Sequence, residues 1–278
     1  MHDGYKVSGM DMLDTGRLAV AGYNDTSNCS FIDLFMLKLD PDSQEKPLLL
    51  TSEPYYSDEF TEFGSKWRSV CLLDDRLFLT CCRNTIALYD SSNGDLVNQG
   101  KLKGEVWCMT TRDGLVYVVL VGSNKVIVLD ARKLRKKKTI ILKGLEDGDC
   151  PWDITVSNNK LFICTEYYGA RVIMCNSEGE IEQEYRNTQY RRARSITVSE
   201  EKGLISILWF GGEGRQVVVY SLSGGHSSIS GGHSSISGGH ILASFKVPDY
   251  SRRIRINNNI NRLFLVTETT GEVYEYHT

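Results

Sequence analysis

The sequence lacks the features that mark several common functional classes. No window of its 278 residues approaches the roughly 20 consecutive apolar residues that a membrane-spanning helix needs. None shows a sustained apolar period of about 3.6 residues, which is typical of amphipathic helices. G-x-S-x-G, H-E-x-x-H and phosphate-binding glycine loops are all missing. The sequence therefore argues against a membrane protein, a helical protein and the best-marked classes of hydrolase and nucleotide-binding enzyme.

Zinc-binding cysteine spacing is also missing. Eight cysteines occur, but there is no C-x-x-C pair, and Cys81 and Cys82 are adjacent. Six of the eight lie within or beside apolar runs: Cys71, Cys81, Cys82, Cys108, Cys164 and Cys175. The first ten residues contain no apolar segment of the signal-peptide type. We therefore expect reduced, buried thiols in a cytoplasmic protein, with no metal and no cofactor.

The chain does contain a phrase that occurs six times. A polar turn leads into an apolar run, and a few polar residues separate this run from a second one. The first runs begin at Leu18, Leu77, Leu115, Leu161, Leu204 and Leu263, and the second runs begin at Ser30, Thr85, Lys125, Arg171, Gln216 and Glu272. Each unit also has a short apolar stretch before the leucine, and five have one after the second run, which in the first unit is Pro47–Thr51. Strand-length runs separated by Asn, Asp and Gly indicate β-strands and hairpins.

The spacing of the units predicts an all-β, six-bladed β-propeller in a single domain, 1–278, of four-stranded antiparallel blades. The anchor leucines lie 59, 38, 46, 43 and 59 residues apart, close to the period of about 40–50 residues that blades show. The two long gaps contain an acidic and aromatic stretch, Ser52–Ser65, and a Gly/Ser/His-rich hairpin insertion at 223–240. Because the sixth unit lacks a fourth strand, we expect the N-terminal segment Tyr5–Val7 to complete the last blade and close the ring.

One unit, Pro151–Tyr185, has a more specific pattern. It reads Pro-x-x-Ile-x-Val, a turn, an apolar strand, a polar and aromatic turn, Arg-Val, an apolar strand and a glycine turn. This resembles an NHL repeat, and Ala193–Phe210 has the same shape. Trp67–Thr80 and Val106–Val119 are similar to the divergent propellers at the C-terminus of tripartite-motif (TRIM) proteins. The resemblance implies a non-enzymatic interaction platform, such as the substrate-recognition module of a TRIM-like ubiquitin ligase or a standalone derivative of one.

The strand plan places basic and aromatic residues on one face of blades 4–6. The candidate binding residues are Trp152, Tyr167, Tyr168, Arg171, Tyr190, Arg191, Arg192, Arg194, Arg215, Arg252 and Arg253. Arginine binds carboxylates and phosphates through paired N–H groups, and aromatic rings stack on bases. The mixture fits a protein or acidic peptide partner, or else single-stranded RNA. It is also compatible with a solvated rim whose aromatic residues pack between blades.

Two other interpretations have less support. Some six-bladed propellers are calcium-dependent hydrolases, which need oxygen ligands converging on the central channel. Here the inner strands supply only Asp11, Asp153 and Asn257. His226, His233 and His240 lie seven residues apart, but a flexible Gly/Ser-rich segment does not hold metal ligands in place. We therefore expect no catalytic residues, no metal site, no small-molecule substrate and no membrane partner.

Overall fold

The described part of the chain consists of β-strands and the turns between them. In the computed structural model it comprises residues 6–24, 29–37, 56–60, 67–146, 149–166, 171–187, 189–212, 214–222, 239–259, 262–269 and 272–277. None of these residues forms a helix long and apolar enough to cross a membrane. The strands form six antiparallel sheets arranged in a ring. This confirms the predicted six-bladed propeller.

Each sheet is one blade, and its strands follow one another in chain order from the central channel outwards. Blade 1 contains β1 (Lys6–Met12), β2 (Arg17–Asn24), β3 (Cys29–Met36) and β4 (Tyr56–Phe60); blade 2 contains β5 (Trp67–Leu72), β6 (Leu77–Cys82), β7 (Thr85–Asp90) and β8 (Leu96–Lys101); blade 3 contains β9 (Val106–Arg112), β10 (Leu115–Leu120), β11 (Lys125–Asp130) and β12 (Lys136–Ile141). Blade 4 contains β13 (Cys150–Ser157), β14 (Lys160–Glu166), β15 (Arg171–Cys175) and β16 (Ile181–Arg186); blade 5 contains β17 (Arg192–Ser199), β18 (Leu204–Gly211), β19 (Gly214–Ser221) and β20 (Ile241–Val247); blade 6 contains β21 (Ser251–Asn257), β22 (Arg262–Thr267) and β23 (Val273–His277).

The repeated apolar runs form the second and third strands of each blade, and both faces of these strands are buried. Six apolar clusters fill the spaces between neighbouring blades, one at each of the six junctions. In β18, Ile205, Ile207 and Trp209 pack against blade 4, whereas Leu208 packs against blade 6. A strand that is buried on both faces needs apolar residues at successive positions, which explains why the runs do not alternate with polar residues.

The innermost strands are connected by hydrogen bonds from a backbone amide to a side chain of the preceding blade. Each innermost strand has only one strand partner in its own blade, so its other edge leaves backbone groups unpaired. Five of these amides donate to a polar side chain on the previous innermost strand: Leu72 to Asp11 (2.8 Å), Met109 to Ser69 (3.4 Å), Ile196 to Asp153 (3.2 Å), Ile254 to Ser195 (3.2 Å) and Ile256 to Thr197 (3.1 Å). The serines, threonines and aspartates of these strands therefore bridge neighbouring blades.

Buried thiols are a second feature that the sequence predicted. All eight cysteines are free, and six of them are buried. Burial raises the pKa of the Cys71, Cys108 and Cys164 thiols well above the ordinary value. They therefore remain protonated at neutral pH and act as small apolar side chains of the core.

The fourth strand of blade 1 does not come from the predicted segment. We expected Pro47–Thr51 to form it, and these residues lie outside the described part of the chain. Residues Tyr56–Phe60 pair with β3 in that position instead. They belong to the stretch Ser52–Ser65, which we interpreted as an insertion between units. Its acidic composition hid the strand, because the outermost strand of a blade is not obliged to be apolar on both faces.

The N-terminal segment also takes a different place from the one predicted. The last two residues of Tyr5–Val7 open β1 rather than completing blade 6, which has three strands in the described part of the chain. The amide of Val7 donates to the carbonyl oxygen of Glu268 at 2.8 Å, as the amide of Val106 donates to that of Arg83 at 2.6 Å. Val7 thus makes the same backbone contact as Val106, which lies at the start of the innermost strand of blade 3. An outermost strand would need a linking segment after it, before the next innermost strand, as residues 102–105 link β8 to β9.

The predicted hairpin insertion at 223–240 falls between β19 and β20. Residues 223–238 lie outside the described part of the chain, including His226 and His233. His240 is described and exposed, and its carbonyl oxygen accepts a hydrogen bond from the amide of Ser221.

Close contact between innermost strands leads to a prediction at Gly9. A Cβ atom there would lie 2.9 Å from the backbone nitrogen of Val70 and 3.0 Å from the Cα atom of Ser69, both in blade 2. We expect Gly9→Ala to lower the free energy of unfolding by about 1–3 kcal/mol, measured by urea denaturation, because it forces two backbones apart. Gly100→Ala is the control, since its Cβ would come no closer than 3.4 Å to Leu134. Equal stability of both variants and the wild type would contradict this account.

Candidate functional site

Every innermost strand contains one β-bulge at the same position near its start. In each blade, one residue of the innermost strand has no pairing partner in the second strand. The skipped residues are Ser8, Arg68, Trp107, Trp152, Arg194 and Arg252. A bulge changes the direction of a side chain relative to the regular strand. The six bulges form a ring around one end of the central channel, and we call this end of the propeller the upper face.

Four bulge residues, on consecutive blades 3–6, form one cluster. The rings of Trp107 and Trp152 lie 4.3 Å apart between centroids. The guanidinium groups of Arg194 and Arg252 lie 4.6 Å and 5.8 Å from the Trp152 ring centroid. These distances are in the range of cation–π interactions. We call Trp107, Trp152, Arg194 and Arg252 the mouth cluster. All four side chains are partly exposed.

A second group of aromatic and basic residues continues the mouth cluster outwards across blade 5. The Arg194 guanidinium lies 5.8 Å from the Phe210 ring centroid, and that of Arg215 lies 4.7 Å from the same centroid. Arg215 also lies 5.8 Å from the ring of Tyr250, which is 58% exposed. The hydroxyl group of Tyr190 hydrogen-bonds to the side-chain oxygen of Gln216. Aromatic rings and arginines from blades 3–6 therefore lie next to one another on the upper face.

Arg252 is a member of the mouth cluster whose charge the protein compensates only loosely. Burial lowers its pKa, and neighbouring Arg253 lowers it further. Among the described residues, its nearest carboxylate, on Glu268, lies 3.7 Å away, and its buried Nε atom has no hydrogen-bond partner. Burial also lowers the pKa of Arg215. Guanidinium groups in this situation gain most from an anionic oxygen that completes their hydrogen bonds.

Arg171 does not belong to this surface, which corrects its assignment as a binding residue. Its side chain is 3% exposed. It forms ion pairs with Glu184 at 2.6 Å and with Asp149, whose Oδ2 also lies 3.0 Å from the Arg171 Nε. A guanidinium that two carboxylates already bind inside the protein has no free direction for a ligand. Arg171 instead fixes the link between blades 3 and 4.

Arg253 is likewise buried, inside the channel, and is not an exposed binding residue. Its Nη1 lies 3.0 Å from Oδ1 of Asp153. The other oxygen of Asp153 accepts a hydrogen bond from the Ser195 hydroxyl at 2.8 Å. Arg253 also donates to the carbonyl oxygen of Ser8 in blade 1 at 3.3 Å. It therefore connects blades 4, 6 and 1 across the channel.

The other predicted binding residues fall into three groups. Trp152, Arg194, Arg252 and Arg215 lie together on the upper face, as predicted. Tyr190 is partly buried at its edge, and Arg191 and Arg192 are exposed beside it. Tyr167 and Tyr168 lie outside the described residues. The candidate binding residues did not include Trp107, Phe210 or Tyr250. The strand plan placed Trp107 at the same loop entry as Trp152, and this shared repeat position was reason to include it.

The channel residues considered for calcium binding are engaged with cations and amides of the protein itself. Asp153 is paired with Arg253, and Oδ1 of Asp11 lies 3.2 Å from Nε of Arg255. Burial raises the pKa of Asp11, and Arg255 opposes this shift. The side-chain amide of Asn257 donates to the carbonyl oxygens of Leu13 and Asp14. Two carboxylates that each face an arginine do not form an oxygen cage for a hard cation. Across the described residues, no three His, Cys, Asp or Glu side chains come together as a metal-binding group.

Comparisons with known proteins support the fold. No protein-family model matches the chain, and no curated protein matches it at the level of sequence. The Cps50 (Swd1) β-propeller domain of Myceliophthora thermophila is similar in structure, with a TM-score of 0.61, 9% identity, and coverage of 100% of this chain and 98% of that one. Hsv2 of Kluyveromyces marxianus gives a TM-score of 0.60 at 10% identity, covering 97% and 91%. These neighbours are WD40-type propellers. At such low identity they establish the fold alone, and the NHL and TRIM resemblance receives no support from them.

The buried position of Arg171 leads to a prediction. Arg171→Met removes the cation that compensates Asp149, whose side chain is 4% exposed. We expect a loss of about 3–5 kcal/mol in the free energy of unfolding, measured by urea denaturation, because an uncompensated buried carboxylate is costly. Arg191→Met makes the same change at an exposed position, where about 0.5 kcal/mol or less is expected. A similar small effect for both variants would show that Arg171 has no structural role.

Proposed function

We propose that this propeller is a non-enzymatic interaction platform that binds an acidic, extended segment of a protein partner on the upper face of blades 3–6. The observation that carries the proposal is the mouth cluster, in which two arginines and two tryptophans from four blades meet at the end of the channel. A propeller fold is consistent with an interaction platform. Arginine and tryptophan are the residues most enriched among those that dominate binding energy at protein interfaces.

An acidic peptide fits this surface for two reasons. First, burial removes part of the hydration of Arg252 and Arg215. Among the described residues, Arg252 has one carboxylate partner, Glu268 at 3.7 Å, and Arg215 has none at ion-pair distance, so an incoming carboxylate would replace lost hydration. Second, the aromatic rings of Trp107, Trp152 and Phe210 offer apolar contact between the charges. A ligand that alternates carboxylates with apolar side chains would use both features. The extended backbone of a peptide would let it cross several blades.

Single-stranded RNA is the alternative that uses the same chemistry. Bases stack on aromatic rings and arginines bind phosphates. In this structure, however, the Trp152 ring already packs against Trp107 and lies beside the guanidinium groups of Arg194 and Arg252. These contacts leave less open ring surface for bases than a stacking platform has. The peptide is therefore the ligand that we favour.

The TRIM resemblance suggests one cellular setting for this proposal. In that setting the propeller selects substrates for a ubiquitin ligase whose catalytic part is another segment or another protein, within the cytoplasm. The support for this setting is the pattern of Pro151–Tyr185 and Ala193–Phe210. The binding surface that we propose does not depend on it.

Binding to defined probes tests the proposal. An array of synthetic peptides graded in net charge identifies the tightest binder, whose affinity is then measured by fluorescence anisotropy with the wild type and variants. We expect acidic peptides to bind best, and we expect Trp152→Ala and Arg194→Ala each to weaken binding about thirtyfold, the factor for about 2 kcal/mol. Arg135→Ala, which removes an exposed arginine from a turn at the opposite end of blade 3, is the matched control and should leave the affinity unchanged.

Two results would overturn the proposal. If Trp152→Ala and Arg194→Ala bind the selected peptide as tightly as Arg135→Ala does, the mouth cluster is not the binding surface. If single-stranded RNA oligonucleotides bind more tightly than every peptide, with an affinity that falls steeply as salt is added, phosphate contacts dominate and RNA is the ligand.

A further inference from the structure

The end of the channel opposite the mouth cluster contains a cavity of about 330 Å³. All six blades contribute to its wall, through the ends of the innermost strands and the turns that follow them. We call this end of the propeller the lower face. The cavity is within the size range of small-ligand pockets. It lies at the far end of the channel from the surface that we propose for the acidic partner.

Hydroxyl groups line one side of the cavity. The position three residues after each bulge is occupied by Asp11, Cys71, Thr110, Thr155, Thr197 and Arg255. The Thr197 hydroxyl accepts the amide of Ile256. The hydroxyls of Thr110 and Thr155, on adjacent blades 3 and 4, line the cavity and have no hydrogen-bond partner among the described residues. These two oxygens are available to a ligand that donates hydrogen bonds.

The charges of the cavity wall leave an excess of two carboxylates. Its lining includes four carboxylates, from Asp11, Asp14, Glu200 and Glu201, and two guanidinium groups, from Arg112 and Arg255. Both guanidinium groups are already paired within the protein: Arg255 with Asp11 at 3.2 Å, and Arg112 with Glu200 at 3.0 Å.

The two remaining carboxylates have no cationic partner among the described residues. Oδ1 of Asp14 accepts the amide of Asn258 at 2.8 Å, which is a neutral donor. Glu201 is exposed at the rim, without a partner among the described residues. In addition, the side-chain oxygen of Asn258 is buried in the wall and accepts no hydrogen bond. A buried acceptor without a donor costs free energy until a ligand or water supplies one.

We propose that this cavity binds an organic cation, an ammonium or guanidinium group, as a second site independent of the upper face. The cation would balance Asp14 and Glu201 and would donate hydrogen bonds to Asn258 Oδ1 and to the free threonine hydroxyls. Either a small polyamine or a lysine or arginine side chain of a protein carries such a group. Both have the long, narrow shape that can enter a channel from one end.

Isothermal titration calorimetry with two probes tests this site and distinguishes the two sources. The first probe is spermidine. The second is a short, blocked glycine peptide with one central arginine, compared with the same peptide carrying glutamate. We expect at least one cationic probe to bind at a single site, and the glutamate peptide not to bind. Binding of spermidine alone identifies a free polyamine as the ligand type, whereas binding of the arginine peptide identifies a protein side chain.

Charge-neutralising variants locate the site. We expect the double variant Asp14→Asn, Glu201→Gln to weaken binding of the cationic probe by about tenfold or more, because it removes the unbalanced charge. Glu178→Gln, which removes an exposed carboxylate from a turn of blade 4 on the same face, should bind like the wild type. Thermal unfolding without ligand checks that each variant is folded. The proposal is overturned if neither cationic probe binds, or if the double variant and Glu178→Gln bind equally.

Discussion

The propeller depends on how the exposed edge of each innermost strand is satisfied. That edge faces the channel and the next blade, where no strand continues the sheet. A side chain on one innermost strand accepts the amide of the residue one step further along the innermost strand of the following blade, as Asp153 does for Ile196 and Ser195 does for Ile254. This hydrogen bond joins the innermost strands of successive blades over a short distance, so it requires small polar side chains. It explains why these strands are rich in Ser, Thr and Asp without being catalytic.

The need to satisfy these strand edges also divides the charged residues into two groups, those that hold the blades together and those that are accessible at the surface. The two aspartates of this ladder of hydrogen bonds, Asp11 and Asp153, lie largely inside the protein, where arginines on blade 6 compensate their charge. Burial alone would lower the pKa of Arg255, but Asp153 and Asp11 outweigh it and leave that pKa raised. Arg255 therefore stays charged, and both Arg253 and Arg255 are engaged in ion pairs inside the channel. The bulge residues lie directly before this ladder, and Arg194 and Arg252 are partly exposed there, at the upper face. The upper face is consequently basic and aromatic, while the lower cavity retains unbalanced carboxylates.

The repeat made much of the fold predictable. Apolar runs at a steady spacing identified the second and third strands of all six blades. Both faces of these strands are buried, so their successive residues are mostly apolar and the strands stand out in the sequence. The outermost strands follow no such rule. Tyr56–Phe60 therefore could not be recognised as β4 from its composition, and the start of β1 depended on a backbone contact with Glu268 that no pattern records.

The candidate site was predictable only in part, for a related reason. The strand plan correctly grouped Trp152, Arg194, Arg215 and Arg252 on one face. It also included Arg171 and Arg253, whose sequence surroundings look similar. Inside the protein Arg171 forms an ion pair with Asp149, 22 residues earlier in the chain. A linear sequence pattern does not show such a partner. The position of the bulge is the better guide. It groups Trp107 with Trp152, and it excludes Arg253, which lies one residue after the bulge residue Arg252.

Hydrogen exchange measured with and without the selected acidic peptide tests the central claim most directly. If the mouth cluster is the binding surface, the peptide should slow exchange at the starts of the innermost strands β9, β13, β17 and β21, with little change at their lower ends. Such a result would place the ligand on the ring of bulges. Protection confined to the lower face, or to the outer strands of the blades, would contradict the account.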